Sequence, residues 1–362
     1  MTQGREGLRG IEATLAWRAP ADPRGAARRR ARALLLTRIE ALFARAAPPQ
    51  EGARFRELLA AMPPSSRRRL LDAPSIWGRI LRDLDSDVTP LLEAAEAELL
   101  RLGRPVAGAG DAWTALGDQA FRGGLPAPGP GAPRLPQGAV IDAHSPHATG
   151  RIPNVIEAFE AYDPETLSGV IRRLQRAARA LPALCAEADL LVRRFAKTVV
   201  LRRDPRAPER FLSESTEGEI GRVLLCNPHL DAVGPLDLIE ALVHETVHSY
   251  LSAVELFDPF IPDRLGAAPI EIRSPWTGAT LDAQRLTHAS LVWFALGHLW
   301  RRAARSGHPL ASNAADLHAR QEAAARGLAD LPALLPALAP ALSGPAAALL
   351  IRISAMEAER TG

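Results

Sequence analysis

A chain of 362 residues with 47% hydrophobic and 23% charged residues can bury one large core or two ordinary ones, which excludes a disordered protein. The 44 basic residues against 41 acidic ones leave a formal charge of +3, too little for a nucleic-acid footprint, and the high isoelectric point is an arginine effect, since Lys197 is the one lysine. Two cysteines, an N-terminus without a secretory apolar core and an apolar stretch at 331–351 broken by four prolines predict a cytoplasmic protein with no disulfide framework, no membrane span and no nucleic-acid partner.

The first hundred or so residues are predicted to be helical. Segments at 31–47, 55–62, 67–73, 75–84 and 91–102 place apolar residues three and four apart, with turn signals at Pro48-Pro49, Pro63-Pro64 and 87–90 between them. They form either a packed helical layer or a module that holds a partner. The texture then changes: residues 122–137 are rich in Pro and Gly and carry almost no periodicity, as expected of a linker or exposed loop between a helical region, 1–121, and a second domain, 138–362. That domain opens on a short strand ending in Asp142-Ala143-His144. Asp142, His144 and nearby His147 make either a second metal group or a loop closed by local hydrogen bonds. A long helix is expected over 164–195, with Leu167, Val170, Ile171, Leu174, Leu181, Leu184 and Leu190 inward. Strands follow at 197–203 and 221–228, where β-branched and aliphatic residues take over.

The chemistry gathers in the helix predicted from Pro235 to Leu256. It carries His244, Glu245 and His248 in the order His-Glu-x-x-His. Residues four apart stack on one face of a helix, so the two imidazoles converge on one point, with Glu245 a step round from them. Imidazole suits zinc or iron(II), and a Glu that is not a ligand can handle the proton of a water at the ion. Two imidazoles leave either metal short of a protein ligand. His288 opens a strongly apolar helix further on and is the leading choice; Glu255, Asp258 and Glu271 are the carboxylate alternatives, and His144 a more distant one. His147, His229, His298 and His308 read as structural or surface residues. The C-terminal prolines predict short packed helices.

The run from Leu225 to Leu251, followed by Ser274-Pro275-Trp276 and a helix opened by Thr287-His288-Ala289, resembles the HExxH-motif peptide-modification proteins encoded beside ribosomally made peptide natural products. The resemblance covers roughly residues 138 to 310. Some such proteins are iron(II)- and 2-oxoglutarate-dependent peptide β-hydroxylases, so it implies an oxygenase acting on a precursor peptide, with His244, His248 and His288 as metal ligands and Glu245 in a proton-handling role. A keto acid needs a cation for its distal carboxylate, and Arg285 and Arg273 lie in the right segment. Two other readings stand beside it: a zinc metallopeptidase with Glu245 as general base, and a non-catalytic peptide-binding partner. The fold expected throughout is α+β and mainly helical: a zincin-like metal helix with a small sheet, preceded by the N-terminal helical region.

Overall fold

The computed structural model of the chain describes residues 4–22, 25–82, 87–129, 131–149, 160–215, 218–262 and 270–361. It is mainly helical with small sheets, as the composition of the segments predicts. Six helices come first: α1 (Gly4–Leu15), α2 (Ala26–Ala46), α3 (Pro49–Ala61), α4 (Pro64–Leu71), α5 (Pro74–Arg82) and α6 (Thr89–Leu100). The diprolines that read as turn signals open α3 and α4. Each second proline starts the helix, where its fixed φ suits the first turn and its missing N–H is one the helix leaves unmatched in any case. Three short antiparallel strands, β1 (Ala112–Trp113), β2 (Ala120–Arg122) and β3 (Leu125–Pro126), form one sheet in that order. Next come β4 (Val140–Asp142), α7 (Pro146–Thr149), α8 (Pro164–Leu184), α9 (Ala186–Phe195), β5 (Thr198–Arg202), β6 (Leu212–Glu214), β7 (Arg222–Cys226) and α10 (Pro235–Glu255). The hairpin β8 (Ile272–Arg273) and β9 (Thr280–Leu281) precedes α11 (Ala283–Arg305), α12 (Ala314–Leu338) and α13 (Gly344–Thr361).

The chain divides into two compact units, one of residues 24–179 and 193–249, the other of 1–23, 180–192 and 250–362. In the first, β4, β5 and β7 run parallel and β6 closes the edge antiparallel, in the order β4-β5-β7-β6. β5 and β7 are buried at every position, which is why they read as continuous apolar runs. On one face Val200, Leu224 and Cys226 pack with Ala148, and Leu212 of β6 joins them. Ser213, between Leu212 and Glu214, therefore points to the other face. The Pro/Gly-rich run 122–137 is partly ordered: it includes β3, its Arg134 pairs with Asp118, and the Gln137 amide donates to the Ala178 carbonyl at 2.8 Å. An ionic network ties the helical layer together. Glu98 of α6 is fully buried and accepts both Arg69 Nε, at 2.9 and 3.0 Å, and Arg101 Nε at 3.0 Å, while Arg69 also reaches Asp118.

In the second unit, α11 is the central element. Phe294, Ala295, Leu299 and Trp300 are fully buried along it, and Trp17 donates its indole N–H to the Ala295 carbonyl at 2.9 Å. Short helices broken at each proline are not what forms there. α12 runs for 25 residues through Pro332 and Pro336. Each proline removes one backbone donor, but Leu328, Leu331 and Leu338 are buried at 1% or less, and that apolar burial outweighs the lost helix bonds. The expected helix at 164–195 is two, α8 and α9 meeting at Cys185, and Leu190 faces outward with 36% exposure. Among the described residues no helix is long and apolar enough to cross a membrane.

Trp276 shows how the Ser-Pro-Trp segment is fixed. The Ser274 hydroxyl accepts the N–H groups of Trp276 and Thr277, and the indole stacks on Trp293 at 6.0 Å and donates to the Ala324 carbonyl at 3.3 Å. Gly327 makes room for it, since a Cβ there would fall 2.1 Å from the ring. Gly327→Ala is therefore expected to lower stability, because displacing the indole costs about 1–3 kcal/mol against the ~1 kcal/mol that alanine gains in a helix. In a Trp276→Ala background the same change should stabilise. Chemical denaturation of the four proteins reads the reversal of sign, and its absence would reject the packing argument.

Candidate metal centre

α10 begins where the local chemistry requires. Pro235 occupies the first helical position, and the Asp237 carboxylate accepts the Gly234 N–H at 2.7 Å, the back half of a capping box. Nearly the whole circumference of the helix is buried from Leu236 to Ala253. Glu240, His244, His248 and Ser252, four apart, form a half-exposed stripe along it. The two histidines thus stand on a partly exposed line of the helix.

Their Nε2 atoms lie 3.2 Å apart, with ring centroids at 5.0 Å and planes tilted by 52°. An ion at about 2.1 Å from each nitrogen would subtend an angle of about 100°, between the octahedral and tetrahedral values. The separation of the two nitrogens suits two ligands of one ion. Glu245 is 2% exposed, and its Oε1 lies 3.9 Å from His244 Nε2 and accepts the Ser213 hydroxyl at 2.6 Å. Among the described residues, His244, Glu245 and His248 are the group whose ligand atoms all fall within 4.8 Å of one another. Ser213 of β6 and Gly221, the residue before β7, hydrogen-bond to the helix: Ser213 to Glu245, and the Gly221 N–H to the Ser249 hydroxyl at 3.1 Å.

His288 is buried near the start of α11 and is not a member of that group. Its Nε2 lies 2.8 Å from Glu255 Oε2. Glu255 also accepts the Phe260 N–H at 3.3 Å and the Gln284 amide at 3.1 Å, and the Phe260 ring meets His288 edge-on at 5.7 Å. Of the other carboxylates considered, Asp258 is half-buried and Glu271 exposed. Arg285 has 65% of its side chain exposed, 3.6 Å from Asp282, the residue that caps α11; Arg273 is also exposed. At the end of β4, Asp142 accepts the N–H groups of His144 and Ser145 at 3.1 and 3.0 Å and the Ser145 hydroxyl as well. That is the locally bonded loop of the two options there. His144 is exposed, and burial lowers the His147 pKa while its Nε2 contacts the Thr114 carbonyl at 3.2 Å.

Both tyrosines are engaged elsewhere. Tyr162 donates to the Arg202 carbonyl at 2.9 Å, and Tyr250 is buried, hydrogen-bonded to Thr14, its phenol pushed up to about 12 by burial. Ser213 had no signal in the sequence. Its part depends on an edge strand whose register faces it toward a residue 32 positions later, and no local spacing encodes that. A scan against protein-family models finds no match for this chain, and a search of the curated proteins finds none either.

Proposed function

We propose that this protein is an iron(II)- and 2-oxoglutarate-dependent oxygenase that hydroxylates the β-carbon of a residue in a ribosomally made precursor peptide. The observation that carries the metal centre is the 3.2 Å pair of His244 and His248 Nε2 atoms on the half-exposed stripe of α10. The choice of chemistry rests on the resemblance of the HExxH and Ser-Pro-Trp segments to the peptide-modification proteins. With the keto acid and dioxygen, iron supplies the oxidising power that exchanges a C–H for a C–OH bond while the keto acid is converted to succinate and carbon dioxide.

The protein's own residues position and neutralise. His244 and His248 hold the ion, and His288 is the proposed third ligand. Glu255 contacts His288 Nε2, so Nδ1 is the nitrogen His288 would offer an ion, with the carboxylate fixing the tautomer of the ring. Glu245, dry and held by Ser213, is placed to take or return a proton beside the ion. A guanidinium, Arg285 first and Arg273 second, pairs with the distal carboxylate of the keto acid. The arrangement of β4, β5 and β7 in parallel with an antiparallel edge strand beside the motif helix supports a zincin-like frame for these groups.

Reconstituted without oxygen, the protein with iron(II) and 2-oxoglutarate is expected to develop a weak visible charge-transfer band. Arg285→Ala should weaken 2-oxoglutarate binding more than Arg273→Ala, and unchanged affinity in both would reject both anchors. The zinc peptidase remains the second reading, favoured by a buried carboxylate 3.9 Å from a ligand nitrogen. Against it, neither tyrosine is free to stabilise an oxyanion in its present contacts. No charge-transfer band, together with zinc-dependent peptide cleavage, would decide for hydrolysis.

A further inference from the structure

We infer that Ser213 is the positioning residue for Glu245, keeping that carboxylate beside the ion as a proton-handling group and off it as a ligand. The inference deepens the metal-centre reading and rests on it. Glu245 needs such a device. Its ligand atom falls within 4.8 Å of those of both histidines, and a carboxylate is a good donor to zinc and iron alike. A carboxylate that bound the ion would give up its place as an acid or base.

The restraint comes from β6. Leu212 and Glu214 pair with Cys226 and Leu224, so the ladder on either side of Ser213 locks its direction, and the hydroxyl meets Oε1 at 2.6 Å. A charge-assisted bond of this length is among the stronger ones, and at 2% exposure Glu245 has little water to replace it. Among the described residues Ser213 supplies the hydrogen bond to this carboxylate. The oxygen so held, Oε1, is the one 3.9 Å from His244 Nε2, so the Ser213 hydroxyl occupies the carboxylate oxygen beside the histidine pair and competes with the ion for it.

The test uses cobalt(II), whose visible spectrum reports coordination number, in the full chain and in Ser213→Ala, Ser213→Thr, Glu245→Ala and the Ser213→Ala/Glu245→Ala double variant. Ser213→Ala should keep one cobalt per chain but shift and weaken the visible bands as Glu245 joins the ion, and activity should fall about 10- to 100-fold, the usual cost of an outer partner. Ser213→Thr should restore the spectrum. In the Glu245→Ala background, Ser213→Ala should change nothing further, because its effect passes through Glu245. An equal spectral change in both backgrounds, or none in either, overturns the assignment of Ser213. A wild-type protein that binds no stoichiometric cobalt overturns the metal centre itself, and that outcome is separate because it appears before any substitution.

Discussion

Replacing His244 or His248 with alanine is expected to abolish stoichiometric metal binding, with a loss larger than the about 10- to 100-fold that follows removal of an outer partner. The fold should survive. Both imidazoles lie on the half-exposed stripe of α10, so their loss opens no cavity in the apolar core, and alanine is the best helix former. Far-UV circular dichroism should therefore overlay that of the parent while elemental analysis shows the metal gone. A second readout is thermal: metal at about 100 times its Kd stabilises a native protein by about 2.7 kcal/mol, and neither variant should respond to added metal. A variant that retains one ion per chain would place the site elsewhere.

Arg69→Ala is expected to cost about 3–5 kcal/mol of stability, the range for breaking one side of a buried ion pair. Glu98 is fully buried and receives two of its hydrogen bonds from Arg69 Nε, at 2.9 and 3.0 Å. Without them one exposed-side partner, Arg101, must serve a dry carboxylate. The same guanidinium serves Asp118, whose pKa burial alone would raise; Arg69, the Thr114 hydroxyl and Arg134 together hold it below the ordinary value. A carboxyl depressed in the folded state contributes stability that is present above its unfolded pKa and is lost as pH falls through the folded one. The Asp118 share of the deficit should thus be present in full at neutral pH and narrow in acid, below the ordinary carboxylate value of 3.8. Urea titrations at neutral pH and at about pH 3 measure both. A deficit below ~1 kcal/mol at neutral pH would show that Arg101 and solvent suffice for Glu98.

The motif helix could be read from the sequence almost to the residue: expected over Pro235 to Leu256, it runs Pro235–Glu255, and the pairing of His244 with His248 follows from four-residue spacing alone. Helices α2 to α6 and the two central strands were also legible, because each is a local pattern of apolar residues, whereas α1 was not picked out. The prolines of α12 misled for the opposite reason. A proline's cost is local and visible, whereas the burial of Leu331 and Leu338 that overcomes it depends on how α11 and α13 pack against α12. Leu190 fits the helical spacing yet faces outward, since periodicity identifies a face without saying whether a neighbour covers it.

By itself the sequence determined the pair of imidazoles and the helix that stacks them, for spacing on a helix is short-range geometry with one solution. The tertiary structure alone decided that Ser213 holds Glu245, that Glu255 holds His288 and that Asp142 spends its oxygens on its own loop. Those choices join residues 32 and 33 positions apart in two cases, or select among local donors in the third. Strand register and chain packing, which couple every part of the molecule at once, set them.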